Sequence, residues 1–102
     1  MNLIVNRDFF KKLRALPFID EIWLYGSRAR GDNGDRSDFD IAIICPNATH
    51  QDWHTVQGII DEADTLYAID CIRFDTLSED DKFKNEILKD KKVLFKRGLS
   101  DE

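Results

Sequence analysis

The chain has 102 residues, with 15 Lys plus Arg against 20 Asp plus Glu, a formal net charge of −5, 42% hydrophobic and 34% charged side chains. A chain of this size can bury one modest core, so a single domain over 1–102 is expected, and its composition is globular rather than disordered or fibrous. No apolar run reaches the roughly 18–20 residues of a transmembrane helix, and the acidic balance argues against a module that binds nucleic acid by bulk charge neutralisation.

The opening residues, Met1 to Arg7, have no basic stretch followed by a long apolar one, and two cysteines are too few for a disulfide scaffold. Both features point to a reducing cytoplasm. No repeat, linker or low-complexity stretch interrupts the chain; two compact polar segments do, over 27–37 and 75–81.

Phe9, Phe10, Leu13 and Leu16 recur at helical spacing with Lys11, Lys12 and Arg14 between them. This predicts an amphipathic helix capped by Asn6 or Asp8 and stopped at Pro17. Residues 19–25 are aromatic and β-branched and read as a strand. A second strand covers 38–45, apolar enough to be buried on both faces, and ends at Pro46. Trp53, Val56, Ile60 and Ala63 then define a helix over 49–64 with Thr49 as its N-cap. Residues 66–74 read as a third strand. Ser78, with Asp81 three positions on, marks the start of a helix whose inner face is Phe83, Ile87 and Leu88, and 93–95 forms a short last strand. The order α-β-β-α-β-α-β predicts an α/β (α+β) fold of two layers, a mixed β-sheet with helices packed mainly on one face.

The chemistry lies where charge interrupts apolar strands. Asp38 and Asp40 point to the same side of their strand, with Cα atoms roughly 6.5–7 Å apart. Asp40 lies inside an apolar run, where an ionised carboxylate is costly unless a cation or several donors offset it. Asp70 is a second such anomaly, in Ala68-Ile69-Asp70-Cys71-Ile72. If the two strands are neighbours, three carboxylates face one point, and their mutual repulsion raises each pKa unless a divalent metal compensates. Mg²⁺ suits the set because it takes oxygen ligands and keeps waters and substrate phosphates in its shell. The turn after the first strand, Tyr25-Gly26-Ser27-Arg28-Ala29-Arg30-Gly31, reads as a phosphate cradle. Gly26 allows close backbone approach, Ser27 offers a hydroxyl, and Arg28 and Arg30 supply cationic forks. Cradle and carboxylates together fit a nucleoside triphosphate carrying magnesium.

Gly26-Ser27, ten residues, then Asp38-Phe39-Asp40 resembles the signature of the DNA polymerase beta nucleotidyltransferase superfamily, and the whole length resembles its smallest members, the minimal nucleotidyltransferase (MNT) proteins. The resemblance implies Asp38, Asp40 and Asp70 as catalytic and metal-binding carboxylates, with Asp75 as the alternative third. It implies Gly26, Ser27 and Arg28 as nucleotide-binding residues, and ATP with Mg²⁺ as substrate and cofactor. It also implies a partner, a small helical HEPN-family RNase toxin. Some MNT proteins neutralise that toxin by transferring AMP onto one of its tyrosines. Larger relatives carry a helical acceptor-binding domain for which this chain has no room, so the acceptor is expected on a partner. Two other readings stay open: an antitoxin that masks its partner by binding alone, and nucleotidyl transfer to a small molecule such as an aminoglycoside.

Plainer readings stand beside these. Arg28 and Arg30 can pair with Asp32 or Asp35 on a solvated loop. Asp40 and Asp70 can be held by arginine or backbone donors. His50 and His54, four apart on a helix, lack a third ligand and read as an exposed face. Cys45 and Cys71 fall opposite the carboxylates and read as core, as do Trp23, Tyr25, Trp53 and Tyr67. The lysines from Lys82 to Lys96, with Arg97, read as a solvated surface.

Overall fold

A computed structural model describes residues 4–32, 34, 38–63 and 65–98. Asp35, the end of the first polar segment at Ser37 and the expected helix end at Asp64 lie outside the described residues. No helix among the described residues is long and apolar enough to cross a membrane.

The elements run α1 (Asp8–Arg14), β1 (Glu21–Tyr25), α2 (Ser27–Arg30), β2 (Phe39–Ile44), α3 (His50–Asp61), β3 (Ile69–Arg73), a 3-10 turn (Phe74–Thr76), α4 (Lys82–Asp90) and β4 (Lys92–Lys96). The expected elements are present, the first three strands shorter and the last longer than expected, and α2 and the 3-10 turn are additional. Helix α1 buries Phe9, Phe10 and Leu13; its N-cap is Arg7, without a side-chain cap, so neither Asn6 nor Asp8 holds its first turn. Helix α3 starts with a full capping box, in which Thr49 Oγ1 accepts from the Asp52 amide and the Asp52 carboxylate accepts from the Thr49 amide. Helix α4 is capped by Asp81 rather than Ser78, its carboxylate accepting from the Phe83 amide at 2.8 Å.

The strands form one mixed sheet in the order β3-β2-β1-β4. Strand β1 runs antiparallel to both β2 and β4, and β2 runs parallel to β3, the two joined through α3. Alternation then sorts the side chains into two faces. On one face Ile22, Leu24, Phe39, Ile41 and Ile43 pack with Phe9, Phe10 and Leu13 of α1 and Val56 of α3. On the other, Trp23, Tyr25 and Ala42 pack with Ile87 of α4. Two helices thus cover the first face and α4 rests on part of the second. Of the three expected inner residues of α4, Ile87 is fully buried, whereas Phe83 and Leu88 are 40% and 44% exposed. Both cysteines belong to the first face, opposite the carboxylates, as expected. Burial pushes the Cys45 thiol up to about 11 and the Cys71 thiol up to about 12, so both remain protonated.

A small polar clamp closes the end of β2. The Cys45 amide donates to Asp75 Oδ2 at 2.6 Å, while Arg73 Nη2 donates to the carbonyls of Cys45 at 3.0 Å and Ala48 at 2.8 Å. The last residue of β3 and the turn after it therefore tie down the loop that leads into α3. Removing a charged acceptor from such a bond should cost about 1–2 kcal/mol, at the lower end for hydrogen bonds to charged groups because Asp75 is exposed. Asp75→Ala is expected to lower the unfolding free energy measured by urea titration by that amount without weakening nucleotide binding; a full loss of nucleotide binding in a folded variant would contradict the structural role.

Candidate active site

The strand register places the acidic residues. Tyr25 stands opposite Asp40 across the β1–β2 pair, and Asp40 stands beside Asp70 across the β2–β3 pair. The three side chains lie in one row on the face that carries α4. Asp38, one residue before β2, is exposed, Asp40 is half-buried, and Asp70 is exposed on the outer strand. Among the described residues, neither an arginine nor a backbone amide donates a hydrogen bond to the Asp40 or Asp70 carboxylate.

Beside Asp40 the chain turns. Gly26 has φ 76° and ψ −157°, a backbone that disfavours any residue with a Cβ. A Cβ there would collide with Asp40 Oδ2 and stand 3.2 Å from Asp40 Cγ. Glycine is needed at this position both for the turn and for the space the carboxylate occupies. The Gly26 carbonyl then accepts the amides of Ala29 and Arg30, winding 27–30 into the single turn of α2, and Gly31 at φ 87° ends it.

The two arginines of this turn go separate ways. The Arg28 guanidinium carbon lies 4.1 Å from the Phe39 ring centroid and 4.8 Å from that of Tyr67, on the side of the sheet away from Asp40. Arg30 Nε donates to Asp32 at 3.1 Å and Arg30 Nη1 to Asp90, at the end of α4, at 3.0 Å. Its charge also favours ionisation of Asp40. The sequence reading named Arg28, not Arg30, as the nucleotide-binding arginine; the structure packs Arg28 against Phe39 and Tyr67, away from the acidic row. His50 and His54 are both exposed on α3.

Asp40 titrates above the ordinary carboxylate range. Burial contributes most, followed by the charges of Asp70 and then Asp38, with Arg30 opposing them. Among the described residues no three carboxylate, thiol or imidazole groups stand close enough to enclose an ion by themselves. The donor set still fits magnesium, which takes one or two protein carboxylates and completes its shell with water and substrate phosphates. The residues that would hold it are Asp40 and Asp70, with Asp38 at the open end of β2. Next to Asp70, a cleft of about 370 Å³ opens at the outer edge of β3, lined by Gln57, Ile60, Asp61, Ile69, Asp70 and Cys71.

With this geometry in place, the comparisons are specific. The profile of the polymerase beta nucleotidyltransferase family matches residues 8–98, so the chain belongs to that family. A crystal structure of a toxin–antitoxin with AMP-PNP has the same fold, with a TM-score of 0.66 and 22% identity over 94% of this chain and 77% of the other. The crystal structure of a provisionally assigned nucleotidyltransferase from Sulfolobus solfataricus also matches, with a TM-score of 0.56 and 23% identity over 88% and 76% of the two chains. No curated protein matches at a significant level.

The electrostatics of Asp40 give a signed expectation. A carboxyl whose folded pKa lies above the unfolded value of ~3.9 holds its proton more tightly in the folded state. Its contribution to stability is complete below that unfolded value and is lost as pH rises through the folded one. At neutral pH and without a cation, Asp40 is thus a destabilising charge. Asp40→Asn is expected to melt above the wild type at pH 7 in a chelator, with the gap closing as the pH falls toward the unfolded value; thermal melts across a pH series measure it.

Proposed function

We propose that this protein transfers AMP from an ATP–magnesium complex to a hydroxyl group, the acceptor being a tyrosine of a partner RNase toxin of the HEPN class, and that it acts as the antitoxin of that pair. The observation that carries the reading is the register that sets Asp40 beside Asp70, within reach of a turn where only glycine fits. Family membership supports the reaction type, and the fold shared with a toxin–antitoxin solved with AMP-PNP supports the setting.

In this reading the Gly26–Ser27 turn receives the phosphates, with Arg28 behind it and Arg30 beside the acidic row. Asp40 and Asp70, with Asp38 at the open end of β2, would hold the magnesium, which when bound would neutralise the phosphate charge and the charge of the departing pyrophosphate. The acceptor hydroxyl approaches from the open edge of β3 and meets Asp70, which is exposed there. Its oxygen forms a bond to the α-phosphorus, the bond from that phosphorus to the β-phosphate's bridging oxygen breaks, and pyrophosphate leaves. The hydroxyl proton passes to the Asp70 carboxylate. Most of the acceleration then comes from placing the two reactants in line and from charge stabilisation, since little covalent work falls to the protein.

The test is incubation with α-labelled ATP, Mg²⁺ and the protein encoded beside this one. Label should appear on a tyrosine of the partner, and Asp40→Asn should reduce it at least about a hundredfold while the variant stays folded. An unlabelled partner, or equal labelling by Asp40→Asn, contradicts the catalytic reading. Full neutralisation of toxicity by an Asp38→Asn/Asp40→Asn double variant would assign the antitoxin role to masking instead.

A further inference from the structure

Tyr25 belongs to the acidic row, yet the reaction as described gives it no part. Its side chain is 6% exposed and sits among Trp23, Ala42 and Ile87, with its ring edge-on to Phe83 of α4 at 5.6 Å. Its hydroxyl is buried and has no hydrogen-bond partner among the described residues. A buried phenol normally finds a partner, because leaving the group unpaired forfeits the hydrogen bonds it made in water. Phenylalanine would fill the same space without that cost.

The register brings two carboxylates into the row, Asp40 directly beside Tyr25 and Asp70 one strand further. Tyr25, Asp40 and Asp70 occupy adjacent positions on β1, β2 and β3, about 4.7–4.9 Å apart from strand to strand, on one face. Ionised carboxylates only accept hydrogen bonds, and a phenol has one proton to give. Asp70 is exposed, and no described residue donates to its carboxylate, so its side chain has room to turn toward the sheet.

We propose that Tyr25 is a positioning residue of this site, its hydroxyl donating to the Asp70 carboxylate when a divalent cation and nucleotide are bound, so that one Asp70 oxygen is fixed and the other is left to meet the acceptor hydroxyl. The inference rests on the function proposed above. A phenol, with an ordinary pKa of about 10, is protonated at neutral pH and so is available as a donor.

Tyr25→Phe keeps the ring and its packing, so the fold should persist, checked by circular dichroism. The first readout does not depend on turnover. Adding Mg²⁺ with a non-hydrolysable ATP analogue should produce a red-shifted tyrosine difference band in the wild type. The band should persist in Tyr67→Phe, the variant of the other tyrosine, and vanish in Tyr25→Phe. The second readout is kinetic: kcat for label transfer should fall roughly 10- to 100-fold in Tyr25→Phe with KM for ATP nearly unchanged, as expected for loss of a hydrogen bond to a charged group. Adding Tyr25→Phe to Asp70→Asn should cost little more. A wild-type spectrum without the band, a band that survives in Tyr25→Phe, an unchanged kcat or fully additive losses would each overturn the proposal. If the wild type transfers no label, the proposed function fails, and the band alone then decides whether Tyr25 serves the bound nucleotide.

Discussion

Asp40 and Asp70 lie side by side on parallel strands, in hydrogen-bonded register, and neither is offered a donor by any described residue. Hydrophobic packing around Ile41, Ala42 and Ile43 holds the backbone of β2 in place, and with it the carboxylate of Asp40, which water reaches only in part. Burial disfavours the Asp40 charge most, and the like charges of Asp70 and Asp38 add to that cost. Such an arrangement is a local cost in a domain whose total stability is only about 5–15 kcal/mol, and it persists because the rest of the sheet is over-determined by its core.

The remainder of the fold is arranged around that row. Helices α1 and α3 cover the opposite face and bury its apolar side chains, leaving the acidic ends of β2 and β3 open. Helix α4 covers the inner part of the acidic face through Ile87, and its C-terminal Asp90 reaches Arg30 of the glycine turn. The turn, the acidic row and α4 are thus linked through one exposed arginine. The Asp75–Cys45 bond and the Arg73 contacts fix the loop at the far end of β2. Two acidic residues five apart in sequence therefore have separate tasks, Asp70 facing the open site and Asp75 tying down the chain.

Much of this was legible because strand geometry is a two-step code. A charge at every second position inside apolar runs gave the face of Asp40 and Asp70 and set Cys45 and Cys71 on the other side. Thr49 was readable as the N-cap of α3 from its place before the apolar periodicity; its reciprocal partner Asp52 came only with the structure. The resemblance pointed to Arg28 as the nucleotide-binding arginine, whereas the fold packs Arg28 against Phe39 and Tyr67 on the other side of the sheet from Asp40. Arg28 and Arg30 are two apart on a helical turn and so point in nearly opposite directions, and only the orientation of the turn decides which faces the carboxylates. The cap of α4 was misplaced because Ser78, Asp80 and Asp81 all suit an N-cap, and tertiary packing of Ile87 selected the last. Tyr25 read as a core aromatic and is one; its unpartnered hydroxyl is visible only once the ring is seen to be buried in the acidic row.

The account depends on the acidic row being the seat of a divalent ion brought with a nucleotide. Crystals grown with Mn²⁺ and a non-hydrolysable ATP analogue, measured for anomalous scattering from manganese, test this directly. The account predicts a manganese peak bounded by Asp40 and Asp70, with the analogue's phosphates against the Gly26–Ser27 turn. Manganese found only at other carboxylates, or a bound analogue with its phosphates away from that turn, would contradict it.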